Sequence, residues 1–402
     1  MAEPKVRFRQ DNGAPYPALR NAAMGDYYIE RNERGEKGLP MLTVSIHSGI
    51  SDGELDEEEL GKRVNRSADV TLYKKAVKGD LVFNMMRAWQ GAVGSTKCTG
   101  MVSPAYIVAS PNEEIDPAFM NYYVQTKTII TRFNRLSYGA LDFRKRLYWD
   151  SFVATEVNMP VIEEQQKIAD FLSSVDEVIA ASEQEVANLE TQKKAVMKKI
   201  FSQEVRFKRA DGSDFPEWEE KSIADLGEII GGGTPKTSVE DYWNGDTPWI
   251  SSADLEENNI HVVNITRYIT DDAIDNSATK RIPKDAILII SRVGVGKVAV
   301  TPCELCTSQD YMSVVPYAGN IVFLGYAISK LMQDKTANVQ GTSIKGIPSD
   351  EIKAYTIGIS CLEEQHLIAD FLSNFDEAIA AAKKELELWK ELKKGLLQQM
   401  FV

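Results

Sequence analysis

Five basic side chains gather between positions 132 and 146 of this chain: Arg132, Arg135, Arg144, Lys145 and Arg146. Phe133, Tyr138, Phe143 and Tyr148 are interleaved with them, and only Asp142 opposes their charge. Cationic groups beside planar rings suit contacts to phosphates and base edges. A solvated helix end followed by a strand that packs its aromatics inward would look the same, and the residues alone do not separate the two readings.

Other chemistry is poorly supported. Gly294-Val295-Gly296-Lys297 resembles a phosphate-binding loop, but Ser291 stands where the first glycine is needed and Val298 replaces the Ser or Thr that would hold magnesium. Gly294 and Gly296 therefore read as turn glycines leaving a strand. Cys303 and Cys306 form one CxxC pair, yet Cys98, Cys361, His47, His261 and His366 supply no second pair at zinc spacing. Glu391-Leu392-Lys393 has a nuclease-like spacing without a strand-borne aspartate and reads as a charged helix flank. The Asn-Pro-Pro-aromatic motif and Gly-rich cofactor loop of an adenine methyltransferase are missing. The expectation is a chain with no catalytic residues, no metal and no cofactor.

The elements that must position any binding residues come from an internal repeat. Glu163-Glu164-Gln165 with Ile168-Ala169-Asp170-Phe171-Leu172-Ser173 recurs 200 residues later as Glu363-Glu364-Gln365 with Ile368-Ala369-Asp370-Phe371-Leu372-Ser373. Arg7-Phe8-Arg9 before Gly13 and Tyr16-Pro17 is echoed by Arg206-Phe207-Lys208 before Gly212 and Phe215-Pro216. A period this long signals two tandem copies of one domain-plus-helix unit, not a solenoid. Steps of four and three from Ile168 reach Leu172, Val175, Ile179, Ser182, Val186, Leu189, Lys193, Val196 and Ile200; the second copy runs from Ile368 to Met400 through Phe375, Leu386, Trp389 and Lys393. That stripe, sustained for more than four heptads, predicts a coiled-coil seam on two helices of roughly 38 residues, about 57 Å each.

The stretches before the helices hold short β-branched runs punctuated by Gly and Pro, with helix expected around 117–135 and 320–338. The organisation expected is α+β: a mixed α/β domain over 1–160, a long helix over 161–201, a second domain over 202–360 and a second helix over 361–402. No run reaches the roughly 18 apolar residues of a membrane span and no signal-peptide core opens the chain, so a cytoplasmic location is expected. The formal net charge of −13 is unusual for a protein that binds nucleic acid unaided. Each helix segment holds eight acidic and five basic residues, so the globular parts share the remaining excess.

The doubled Glu-Glu-Gln-x-x-Ile-Ala-Asp-Phe-Leu block closing two unlike domains resembles the specificity (S) subunit of type I restriction–modification systems. Asn84-Met85-Met86-Arg87-Ala88-Trp89-Gln90-Gly91-Ala92 with Val102-Ser103-Pro104-Ala105-Tyr106 is similar to one type of that family's target recognition domain. Gly232-Gly233-Thr234-Pro235-Lys236 with Tyr242-Trp243 and Pro248-Trp249-Ile250 is similar to another. The resemblance implies that each domain reads one half of a bipartite double-stranded DNA target. It implies an antiparallel helix pair with pseudo-two-fold symmetry that sets the spacer and docks two modification (methyltransferase) subunits, with restriction subunits in the larger complex. It also accounts for the acidity, because partner chains can supply phosphate contacts.

Within that frame the expected DNA-binding residues are Arg87, Trp89, Gln90, Ser103, Tyr138, Arg144, Lys145 and Arg146 in the first domain. In the second they are Thr234, Lys236, Thr237, Arg292, Gln309, Thr342, Ser343 and Lys345. Arg commonly pairs with guanine and Gln with adenine, while Lys, Ser and Thr often serve phosphates. Trp89, Trp243 and Trp249 fit a domain core better than a stack on DNA. The rival reading is a coiled-coil adaptor with two protein-binding domains and no DNA; a nucleotide hydrolase using Lys297 is a distant third.

Overall fold

The computed structural model describes residues 4–46, 49–55, 69–139, 144–337 and 346–401. The chain divides into two compact units, Met1–Ser182 with Glu385–Val402, and Glu183–Lys384. Each unit contains one mixed domain, the first half of one long helix and the last part of the other.

Both units are built on a four-stranded antiparallel sheet of matching order. In the first, strand Leu81–Asn84 lies between Val93–Ser95 and Tyr106–Pro111, and Tyr28–Glu30 flanks the latter. In the second, Ile287–Ile290 lies between Val298–Val300 and Tyr311–Pro316, with Gly227–Gly231 outside. The central strands are buried on both faces, which explains their unbroken apolar runs. Leu81 and Phe83 enter the core under the helices while Val82 enters a second core with Leu42, Val44 and Val108. Ile287 and Ile289 are likewise parted from Leu288 and Ile290.

A second pairing closes each domain: Arg20–Ala23 runs antiparallel to Glu156–Met159, and Glu219–Ser222 to Thr356–Ile359. This brings both ends of the domain to one place and delivers the chain into the long helices, Ile162–Phe201 and Leu362–Met400. The expected helix over 320–338 is present as Ile321–Ala337. The one expected over 117–135 is instead two helices, Pro117–Tyr123 and Lys127–Leu136. Thr126 breaks it, since its extended backbone and side-chain acceptor for Ile129 N–H make it the N-cap of the second piece.

The repeated Glu-Glu-Gln explains itself as a fastener. Glu164 and Glu364 are 1% and 0% exposed. Arg7 grips both oxygens of Glu164 at 3.1 and 2.6 Å, and Arg206 grips those of Glu364 at 3.3 and 2.9 Å. Bidentate pairing is what allows such a carboxylate to be buried. The Gln165 carboxamide accepts from Asp116 N–H and donates to the carbonyls of Glu114 and Pro160. Gln365 accepts from Asn320 N–H and donates to the Ser360 carbonyl. In both units the block thus locks the entry arm and the start of the domain's helix region to the long helix.

Every residue of the expected seam is buried or half-buried. Within the first unit, Lys393 near the end of one helix meets Asp176 near the start of the other at 2.5 Å; within the second, Lys193 meets Asp376 at 2.5 Å and Lys383 meets Glu190 at 2.7 Å. In both units, then, the start of one helix lies beside the end of the other, an antiparallel arrangement. Met400 and Phe401 pack into the first core, with Phe401 ring centroids 5.5 and 5.6 Å from Phe119 and Tyr123. Phe201 takes the corresponding place by Phe323 and Trp218. Lys393 is accordingly more than a charged flank: it is an ion-pairing seam residue.

Candidate nucleic-acid interface

The candidate site in each unit is the end of the sheet where a central strand turns into the neighbouring edge strand. In the first unit strand Leu81–Asn84 leads into a 3-10 turn, Ala88–Gln90, before returning at Val93. In the second, Ile287–Ile290 leads through 291–297 and returns at Val298. A second turn precedes the neighbouring strand: Ser103 to Tyr106 in one unit, Ser308 to Tyr311 in the other. A third segment descends from the domain helix onto the hairpin. Leu147 N–H donates to the Met85 carbonyl at 2.9 Å, and Ile347 N–H donates to the Ser291 carbonyl at 2.7 Å, so the two loops dock in the same way.

In the first unit this brings most of the expected residues to one end. Arg87 and Gln90 are exposed on the hairpin turn, and the Arg87 charge acts on Tyr106, whose phenol is pushed up by burial and drawn the other way by that guanidinium. Trp89 is half-buried and its indole N–H donates to the Met86 carbonyl at 3.0 Å, so it braces the turn. The half-buried Ser103 hydroxyl accepts from Ala105 N–H at 3.3 Å. Arg144 and Arg146 are exposed and Lys145 is half-buried. Tyr138 exchanges backbone hydrogen bonds with Arg146, packs its ring at a tilt against Tyr148 with centroids 4.7 Å apart, and donates its hydroxyl to Asp150. Arg132 lies elsewhere: its guanidinium donates to the Glu156 carbonyl beside the closing strand pair.

In the second unit Gly232 and Gly233 permit a close crossing of backbones. A Cβ on Gly232 would stand 2.0 Å from the Ser308 carbonyl oxygen, and one on Gly233 would stand 2.3 Å from Thr279 N. The crossing carries exposed Thr234 to exposed Gln309, and their side chains hydrogen-bond. Ser291 N–H and hydroxyl both donate to the Asp310 carbonyl, tying the hairpin to the same turn. Arg292 is exposed at the hairpin beside Gly346. Lys236 and Thr237 are exposed just beyond Pro235, with no side-chain contact drawing them toward the hairpin. Thr342, Ser343 and Lys345 lie outside the described residues.

Trp249 is buried and Trp243 packs edge-on against it with centroids 5.0 Å apart, so both are core, as read from the sequence. Lys297 donates to the Leu255 carbonyl at 2.8 Å, and Gly294 and Gly296 have φ of 80° and 102°, a turn and not a phosphate loop. Among the described residues no group of three His, Cys, Asp or Glu side chains is placed to hold a metal, and no helix is long and apolar enough to cross a membrane. Two residues at the hairpins were missed in the sequence. Met86 and Val293 are apolar yet 46% and 70% exposed at the turns. No sequence signal marks them, because only strand order shows that the two segments are corresponding turns; in that match Met86 falls opposite Arg292 and Arg87 opposite Val293.

The chain is matched twice by the family model of the type I restriction modification DNA specificity domain, at residues 21–191 and 216–388. It is 33% identical over 207 residues to the type I restriction enzyme MjaIX specificity subunit of Methanocaldococcus jannaschii, covering 50% of this chain and 48% of that relative, so the alignment spans about half of each. It is 24% identical over 393 residues to the putative MjaX specificity subunit of the same organism, covering 91% of this chain and 87% of that one. Two solved structures share the fold. One is a chain from work on complex assembly and conformational transition of the type I R-M system, with TM-score 0.60, 18% identity, and 96% and 98% of the two chains covered. The other is the type I restriction-modification S subunit from M. genitalium, with TM-score 0.58, 14% identity, and 100% and 99% covered.

Proposed function

The chain belongs to the type I restriction modification DNA specificity family, and from that premise we propose how its two domains divide the work. Each domain, 1–160 and 202–360, reads one half of a bipartite double-stranded DNA target. The reading edge is the hairpin end: Arg87, Gln90, Ser103, Arg144 and Arg146 in the first domain, and Thr234, Arg292 and Gln309 in the second, with Lys236 and Thr237 nearby on phosphates. One observation carries this reading. The fasteners Glu164, Gln165, Glu364 and Gln365 are the same in both units, while the loops mounted on the matching sheet ends differ in sequence. A shared frame holding unlike loops is what two different half-sites require.

The same identity of frame supports the partners. Phe171 and Phe371 are each partly exposed and meet Phe8 and Phe207 edge-on, both at 5.6 Å. Two like aromatic patches suit two copies of one partner, the modification subunit, which brings the methyl-transfer chemistry; restriction subunits join the larger assembly. The chain itself acts as a non-catalytic reader in the cytoplasm, and its long helices set the spacer. Co-expression with the modification subunits followed by methylome sequencing tests this. The expected target is bipartite with unlike halves, whereas a single contiguous motif, or methyl transfer by the purified chain alone, overturns it.

A further inference from the structure

The hairpin turns present an apolar side chain beside an arginine in both units: Met86 next to Arg87, and Val293 next to Arg292. Both apolar groups stand in water, Val293 almost fully so. A single exposed apolar residue is ordinary. Strand register sets Met86 against Arg292 and Arg87 against Val293, so each turn places one exposed apolar residue and one exposed arginine side by side, in opposite order, which the core does not require.

Hydrogen bonds fix the first turn at Met86 and the second at the base of its hairpin. In the first unit Met86 N–H donates to the Asn84 side chain at 3.0 Å, Arg87 N–H donates to the Asn84 carbonyl at 2.9 Å, and the Trp89 indole holds the Met86 carbonyl. In the second unit Ile290 N–H donates to the Lys297 carbonyl and Gly296 N–H to the Ile290 carbonyl, while Lys297 is anchored on Leu255. The first tip and the base of the second are therefore held in shape before any ligand arrives, which reduces the ordering cost of binding. A two-stranded ribbon is one of the shapes that the major groove of B-DNA admits, and the one apolar group on its floor is the C5-methyl of thymine.

We propose that Met86 and Val293 each pack against a thymine C5-methyl in the major groove, one in each half-site, with the adjacent Arg87 and Arg292 reaching a neighbouring base or phosphate. This rests on the DNA-reading function above and adds to it a named base group and a named side chain for each domain. Each contact is apolar and senses only the methyl group: it discriminates thymine from cytosine and also from uracil, which shares every hydrogen-bonding atom of thymine.

Uracil is therefore the probe. With the target first mapped by methylome sequencing, binding of the complex with its modification subunits is measured on duplexes in which each thymine is replaced singly by deoxyuridine. At one thymine per half-site the loss of the methyl should weaken binding about fourfold, the value of one methyl-sized group removed from water. Val293→Ala should abolish the uracil effect in the second half-site only, and Met86→Ala in the first only. Val293→Thr, which keeps the volume and loses the apolar surface, should reduce the effect as well. Uracil effects absent from either half-site, or unchanged in the variants, overturn the inference while leaving the DNA-reading function standing. Failure of the assembled complex to methylate or bind any bipartite target overturns that function instead.

Discussion

The sharpest test of the energetics is one substitution made twice. Lys193 and Lys393 occupy the same position of the repeat, and each pairs with the aspartate of the other helix at 2.5 Å. A tyrosine of the domain donates to the second carboxylate oxygen in both cases: Tyr326 to Asp376 at 2.5 Å and Tyr122 to Asp176 at 2.8 Å. The environments differ. Lys193 and Asp376 side chains are each 5% exposed, whereas Lys393 and Asp176 are 28% and 37% exposed. Lys→Met keeps the length and the apolar stem and removes the charge. At Lys193 it leaves a carboxylate in the interior with the Tyr326 hydroxyl and His261 beside it, and also frees the Asn258 carbonyl that Lys193 holds at 2.7 Å. Breaking such a buried pair costs about 3–5 kcal/mol. At Lys393 water can solvate the remaining carboxylate, and the cost should be about 0–1 kcal/mol. Because the chain has two units, the loss is best read locally, by amide hydrogen exchange in Ile321–Ala337 and in Pro117–Leu136. Lys193→Met should speed exchange of the former segment by a factor of roughly a hundred to several thousand, with little change in the latter for Lys393→Met. Replacing Lys193 and Asp376 together by Met and Leu should recover most of the loss. Equal effects at the two lysines, or no recovery in the double variant, would refute the argument from burial.

Arg206→Ala should destabilise the second unit by about 3–5 kcal/mol in denaturant titration, because Glu364 is fully buried and, among the described residues, would keep only the Trp218 indole as a side-chain partner. His261 is pushed below its ordinary value of 6.5 chiefly by burial, with Asp376 pulling the other way. A depressed folded-state value means that stability present above 6.5 is lost as pH falls from there through the folded value. His261→Gln should flatten that part of the stability–pH curve, and an unchanged curve would remove His261 from the account. Arg144→Ala and Arg146→Ala should each weaken target binding, by roughly 1–3 kcal/mol for a bidentate base contact. Relaxed specificity at one position marks a base contact; uniformly lower affinity with a shallower salt slope marks a phosphate contact. No change in affinity, specificity or salt slope in either variant would make the basic stretch a solvated face.

The sequence by itself determined the double unit and the seam, because both are local or strictly periodic signals. Three- and four-residue spacing specifies a helix face without reference to anything distant, and every seam position is at least half-buried. Unbroken apolar runs likewise announced strands, though not that Leu81–Phe83 and Ile287–Ile290 would each feed two cores. Lys193 and Lys393 were visible as polar residues on an apolar stripe, which demands a partner, but Asp176 and Asp376 are 217 and 183 positions away. Only the tertiary structure could pair them, and only it could make one pair buried and the other wet. The split at Thr126 was missed because the apolar period runs through the break while a single capping side chain ends the helix. The proposed reading edge was legible as residue types and not as a place. Arg87, Ser103 and Arg146 come to one sheet end because a hairpin turn, a pre-strand turn and a post-helix segment lie there together, and sheet register, which joins residues of any separation, decides that placement.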